Sequence, residues 1–158
     1  MALGSLEGTR VVDLYSGSGA LAIEALSRGA EWADLVDSDR RARETIVRNL
    51  TELSLTERAR LWPLRLPAGL ARLGEALAAA QVVFADPPYG GTDARAVLTG
   101  LGKPGVLQPA TRVVLETHAK DIVPQQEGCL VRERERQYGE TVVHVYRVGD
   151  GPAAGEDA

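Results

Sequence analysis

The 158-residue sequence predicts a doubly wound α/β domain, a mostly parallel sheet with helices on both faces and an antiparallel hairpin at its C-terminal end. Three observations predict it. Short apolar, β-rich runs alternate with segments of helical periodicity over residues 9–117. A glycine-rich turn, Gly17-Ser18-Gly19, joins the first run directly to the first helix. After residue 117 the rhythm changes, and two alternating runs, 130–137 and 141–148, flank a turn at Gly139.

Taken in order, residues 9–15 (TRVVDLY) form the first strand, which breaks at Ser16. From Ala20 onward Leu21, Ala22, Ala25 and Leu26 fall on one helical face, and Gly29 supplies the C-terminal stop. Residues 32–36 are the second strand, ending in Asp37-Ser38-Asp39. Asp39 is the natural N-cap of the next helix, whose buried stripe is expected at Ala42, Ile46, Leu50 and Leu53. Residues 59–66 form a third, weaker strand, and Pro63 places it near a sheet edge.

Pro67 suits the first turn of a helix that turns Leu70, Leu73 and Leu77 inward. Residues 81–85 are the fourth strand, 92–101 a short helix with Asp93 in its first turn, and 112–117 (RVVLET) the fifth strand. One domain over residues 9–148 follows. Residues 1–8 read as a linker or an added start, and the small, acidic stretch 149–158 as a disordered tail.

Composition narrows the classes of function. Hydrophobic residues at 44% and charged residues at 25% are those of an ordinary soluble domain. A single cysteine, Cys129, excludes an intramolecular disulfide and a thiolate metal cluster, which points to a reducing, cytoplasmic setting. No apolar run reaches membrane-spanning length. A formal charge of −4 argues against strong sequence-independent nucleic-acid binding by the chain as a whole.

Two stretches carry chemistry. In Gly17-Ser18-Gly19 the glycines permit positive φ and close approach of a ligand to free N–H groups at a helix N-terminus. Asp37, twenty residues past Gly17 at the end of the second strand, suits the two hydroxyls of a ribose. The pattern G-x-G-x-x-A with that acid serves both adenine dinucleotides and S-adenosylmethionine. Asp13 divides the two ligands, since its charge opposes a pyrophosphate and favours the ammonium of a methionine.

The second stretch is Asp86-Pro87-Pro88-Tyr89 at the exit of the fourth strand. Two prolines make a stiff turn that ends strand pairing. It offers the Asp86 carboxylate, the Pro87 carbonyl and the Tyr89 ring, and two acceptors beside a flat ring suit the amino group of a planar base. A reversal of strand order between the first and fourth strands would bring both turns to one crevice.

With these residues the chain resembles the class I S-adenosylmethionine-dependent methyltransferases of the amino-group type, and more narrowly the bacterial RsmD family. The matching segments are 11–30 (VVDLYSGSGALAIEALSRGA), 35–39 (LVDSD), 82–90 (VVFADPPYG), 113–116 (VVLE) and 136–148 (RQYGETVVHVYRV). The resemblance implies a Rossmann-like methyltransferase sheet. It also implies S-adenosyl-L-methionine as cofactor and methyl transfer to a guanine N2 in 16S ribosomal RNA of the small subunit, by a monomer without a metal.

It assigns Asp13, Ser16, Gly17 and Gly19 to the methionine end of the cofactor, Asp37 to its ribose and Ser38 to its adenine, with Tyr15 and Ser18 also among the cofactor-binding residues. By the same resemblance Asp86 and Pro87 hold the amino hydrogens within the turn that Pro88 stiffens, and Tyr89 stacks on the base. The Asp-Pro-Pro-Tyr turn by itself fits adenine-N6 methylases of DNA or RNA equally. A nucleotide-binding dehydrogenase, or a cofactor-binding domain without catalysis, are the readings from other classes.

Two departures from the family are visible. The family carries a basic N-terminal arm that closes over the cofactor and meets RNA, whereas this sequence begins immediately before the first strand. After the third strand, where many methyltransferases place an acid against adenine, stand Arg65 and Leu66, so that contact is either missing or made by backbone.

The remaining conspicuous residues read as structural. Arg40, Arg41, Arg43 and Arg48 form a solvated helix face. Arg132, Arg134 and Arg136 are expected on one face of an exposed edge strand with Glu133 and Glu135 on the other, a charge pattern that resists edge-to-edge pairing. His118, His144, Cys129, Trp32 and Trp62 read as packing residues.

Overall fold

The computed structural model describes residues 4–149. Strand β1 (Arg10–Leu14) leads through the glycine turn into helix α1 (Ala20–Ser27), strand β2 (Trp32–Val36) and helix α2 (Arg40–Glu52). Strand β3 (Ala59–Trp62) is followed by a 3-10 turn over Ala68–Leu73 that runs into helix α3 (Gly74–Ala79). Strand β4 (Val82–Ala85), helix α4 (Asp93–Leu101) and strand β5 (Arg112–His118) complete the alternating part. The chain then adds β6 (Gln126–Glu127), β7 (Leu130–Tyr138) and β8 (Thr141–Val148).

One eight-stranded sheet results, in the order β3-β2-β1-β4-β5-β8-β7-β6, parallel from β3 to β5 and antiparallel beyond. β3 is an edge strand, as Pro63 predicts, and it stops at Trp62, before that proline. Strand alternation divides the core into two layers. Val12, Leu14, Val83, Ala85, Val113 and Leu115 face Leu73, Leu77, Val97 and Leu98 on one side. Val11, Leu35, Phe84 and Val114 face Ala22, Leu26, Ile46 and Leu50 on the other. The parallel strands β1 and β4 are therefore apolar on both faces apart from Arg10 at the start of β1 and Asp13. No helix among the described residues is long and apolar enough to cross a membrane.

Local chemistry explains the best-placed boundaries. The Asp39 side chain accepts from the Ala42 N–H at 2.9 Å and caps α2. Ile46 and Leu50 are buried as the helical spacing predicts, but Leu53 is 55% exposed and does not extend that stripe. Helix α2 ends at Glu52, and Leu55, past its C-terminus, packs against that layer instead. Packing also begins before the first strand, because Leu6 is buried and Gly8 donates to the Gly29 carbonyl at 2.9 Å. Of the stretch expected to be a disordered tail, Gly149 donates to the Cys129 carbonyl at 2.9 Å, and residues 150–158 lie outside the described residues.

The arginines of β7 do not share a face. Register runs Arg132 opposite Tyr146 and then Arg134 opposite Val145, so Glu133 is an extra, bulged residue. Arg132 and Glu135 lie with Tyr146 and His144, and their charged groups meet at 3.2 Å. Arg134 and Arg136 turn to the opposite face. Arg112 and Arg147 stand directly opposite each other, a destabilising pair, and the Glu133 carboxylate reaches both at 3.5 and 3.8 Å.

The two tryptophans share one acceptor. Asp34, 4% exposed on β2, accepts from the Trp32 indole at 3.1 Å and the Trp62 indole at 2.8 Å, which fastens the edge strand β3 to β2. Asp34→Ala leaves both donors without this partner and should lower stability by about 2 kcal/mol. Asp34→Asn, with one carbonyl left, should cost less. Urea unfolding followed by the fluorescence of these tryptophans tests this, and an unchanged midpoint in Asp34→Ala would refute it.

Candidate functional site

Both turns lie at the carboxyl edge of the sheet, because β1 pairs in parallel with β2 on one side and β4 on the other. Tyr15 leaves β1 with φ 57°, followed by Gly17 at 60° and Gly19 at 82°. Left-handed backbone at Gly19 excludes most side chains, and a Cβ there would meet Leu35 at 3.1 Å. The Ser16 hydroxyl donates to the Asp13 carbonyl at 2.6 Å and accepts from the Val36 N–H at 3.0 Å. It locks the exits of β1 and β2 together. Ser18 is exposed, and its carbonyl accepts from the Asn49 amide at 3.0 Å.

Asp37 is held where the strand ends. One carboxylate oxygen accepts from the Gly17 N–H and the other from the Asp39 N–H, both at 2.9 Å. The carboxylate is thereby fixed, with further lone pairs open to a ligand. Arg43 donates through its guanidinium to the Ser38 carbonyl, so it braces the site loop and is not simply a solvated charge. Arg40 instead pairs with Glu44 on the helix surface.

A cavity of about 410 Å³ opens above these strand ends. Tyr15, Asp37, Ser38, Asp86 and Pro88 line it together with Leu64, Arg65, Leu66 and Asp93. The cavity therefore joins the acid after β2 to the turn after β4, while of the glycine-turn stretch expected in the same crevice only Tyr15 lines it, and Asp13, Ser16, Gly17, Ser18 and Gly19 do not. Asp93 was legible only as a first-turn residue of α4. In the fold it accepts the Tyr15 hydroxyl at 3.1 Å across the cavity and puts an acid beside the segment after β3. Nothing local signals that contact, which spans from β1 to α4.

Pro87 is buried and Tyr89 is 49% exposed, outside the cavity lining. The Tyr89 ring meets His118 edge-on at 5.9 Å, and its hydroxyl sits among the side chains of Thr141 and Glu116. The Gly90 N–H is 3.4 Å from the Asp121 carboxylate, which links the turn to the segment after β5. His144 is buried against the Thr117 hydroxyl at 3.0 Å, and Cys129 packs at the border of one core layer.

The electrostatics are those of a site short of positive charge. Burial lifts the Asp13 carboxyl to about 7; the charges of Asp86 and Asp37 add to this, against the hydrogen bond from the Ala22 N–H. Burial and then the charge of Glu116 lift Asp86 to about 6. Such a cluster disfavours an anionic pyrophosphate and favours a cation.

A family model described as Conserved hypothetical protein 95 matches residues 1–147. The chain is 35% identical over 141 residues to a Bacillus subtilis protein named "Putative rRNA methyltransferase YlbH", covering 89% of this chain and 77% of that protein. It is 28% identical over 136 residues to "Ribosomal RNA small subunit methyltransferase D" of Escherichia coli, covering 86% and 67%. Among solved structures, an RNA methyltransferase from Salinibacter ruber in complex with S-adenosyl-L-homocysteine has the same fold, with a TM-score of 0.68 at 17% identity, covering 96% of this chain and 90% of that one.

The raised carboxyls make a pH prediction with a definite sign. Folded Asp13 and Asp86 bind protons more tightly than the unfolded chain, where both sit near 3.8. Their contribution to stability is full below about 4 and is lost as pH rises through about 6 and 7. Asp13→Asn should flatten this decline, with the larger part removed between pH 5 and about 7. Urea unfolding across that range tests it, and parallel curves for variant and wild type would contradict the assignment.

Proposed function

Because the chain belongs to the family described as Conserved hypothetical protein 95, we propose that it is an S-adenosylmethionine-dependent methyltransferase of ribosomal RNA, and that its target is a guanine N2 amino group in 16S RNA. The observation that carries this reading is the single cavity onto which Asp37, Ser38, Asp86 and Pro88 all open. One half of that wall suits a nucleoside and the other an amino group to be methylated. Support for ribosomal RNA as substrate comes from the names of the two relatives, and support for the cofactor from the acidic site and the shared fold.

The residues fit the cofactor chemically. Asp37, pinned by two backbone N–H groups, accepts the ribose hydroxyls, and Ser38 and Leu66 flank the adenine. Asp13, buried and near neutral pKa in the free protein, supplies the counter-charge to a cationic ligand. When bound, S-adenosylmethionine supplies an already activated methyl group, so the protein's work is placement at roughly 3–3.5 Å from the acceptor.

Asp86 and the Pro87 carbonyl accept the two amino hydrogens of the base. These bonds favour a more tetrahedral nitrogen, whose lone pair is otherwise delocalised into the ring. The methylated nitrogen is cationic and sheds a proton readily, and Asp86, lifted to about 6, is a better acceptor for it than an ordinary aspartate. Tyr89 offers its ring to a base turned out of the RNA, a contact worth roughly 1–3 kcal/mol.

Asp86→Ala should lower methyl transfer at least about 100-fold while S-adenosylmethionine affinity stays near the wild-type value. Labelled-methyl transfer to unmodified small subunits, with calorimetry on the same variant, measures both. Equal loss of the two would sink the division of roles. Methylated adenosine in the product digest would overturn the guanine assignment.

A further inference from the structure

The hairpin tip Tyr138-Gly139-Glu140-Thr141 has no task in the chemistry above, yet it borders the substrate turn. His118 on β5 stands opposite Thr141 on β8, and Thr141 stands opposite Tyr138 on β7. The three side chains therefore form one row on one face of the sheet, two strand spacings or about 10 Å across. Tyr89 meets the near end of the row, at His118.

Of the four tyrosines, Tyr146 is buried and Tyr15 lines the cavity. The other two, Tyr89 at 49% and Tyr138 at 58% exposure, both stand at this edge. The Arg136 guanidinium lies 5.6 Å from the Tyr138 ring centroid on the same face.

The tip is held in place. Ala119 donates to the Glu140 carbonyl at 2.7 Å, which ties the turn to the end of β5, and the Gln137 amide donates to the Gly139 carbonyl at 2.9 Å. Glu140 is the acid of the tip, and its carboxylate leans on His118 at 3.6 Å. A rigid aromatic face paired with a guanidinium is the arrangement that stacks on a nucleobase and meets its phosphate. An apolar protein partner would want a contiguous apolar patch, whereas the register partner of Tyr138 is Thr141 and the guanidinium of Arg136 lies beside its ring.

On the reading of the chain as a ribosomal RNA methyltransferase, we propose that Tyr138, with Arg136, is the stacking platform for a nucleotide flanking the target base. Tyr89 takes the target and the hairpin tip takes its neighbour. Recognition of the RNA is then shared between the cavity mouth and a strand row that carries no catalytic group.

The test compares wild type, Tyr138→Ala and Tyr138→Phe on small subunits from cells lacking this enzyme, and on fluorescein-labelled, protein-free 16S RNA. Tyr138→Ala should raise the KM for subunits and the Kd for RNA about tenfold, with S-adenosylmethionine affinity by calorimetry unchanged. Tyr138→Phe, which keeps the ring, should stay within about twofold of wild type. Arg136→Gln should reduce the salt dependence of RNA binding.

A wild-type KM in Tyr138→Ala would overturn the platform, as would an equal loss in Tyr138→Phe, which would make the hydroxyl the contact. Loss on subunits with unchanged binding to protein-free RNA would put a ribosomal protein on the tip, and would also overturn it. Failure of the wild-type protein to methylate subunits would instead strike the function proposed above, and the platform with it.

Discussion

Parallel pairing of β1 with β2 on one side and with β4 on the other fixes where every group of the site lies. Chain direction is the same in all three strands, so their carboxyl ends open on one edge, and the crossover between β2 and β4 parts the loops above β1. Asp13 and Phe84 are register neighbours and Leu14 and Ala85 the last pair, which puts Asp86 one residue beyond the strand pair that leads into the glycine turn. Antiparallel pairing of either neighbour would send its exit to the far edge and dissolve the cavity. Apolar residues on both faces of β1 and β4 enforce this arrangement, since only a central position covered by two helical layers buries them.

The same placement loads the edge with negative charge. Asp13 is 1% exposed and faces the fields of Asp86 and Asp37, while Asp86 in turn feels Glu116. Hydrogen bonds soften this for Asp37, which two N–H groups hold, more than for Asp13, which has one at 3.3 Å. The free protein thus keeps a carboxyl near neutrality inside its core, a cost carried at the site. A cationic ligand relieves it by supplying the charge that the chain lacks. Stability and ligand preference have one electrostatic origin here.

Features written in local chemistry were readable before the fold. Asp39 caps α2 because its short carboxylate reaches Ala42 three residues on, and Pro63 ends β3 because it cannot donate to a ladder. The places of Asp37 and Asp86 at strand exits were readable because each follows an apolar run. Contacts that the tertiary fold alone creates were not readable. The Tyr15–Asp93 bond joins residues 78 positions apart. Leu53 matched the helical period, yet α2 ends at Glu52 and the core takes Leu55 instead.

The bulge at Glu133 is the sharpest case, because alternation along β7 is regular in the sequence and broken in the sheet. With strict alternation Tyr138 would share the face of Arg132, which is the face of Tyr146 and His144. One extra residue reverses every side chain after it. Arg134, Arg136 and Tyr138 move to the face of His118 and Thr141, beside Tyr89. The extra residue also stands beside a like-charge pair: Arg112 and Arg147 oppose each other across β5 and β8, and the Glu133 carboxylate reaches both from the adjoining strand. One extra residue near the open end of the hairpin thereby sets which aromatic residue its tip presents beside Tyr89.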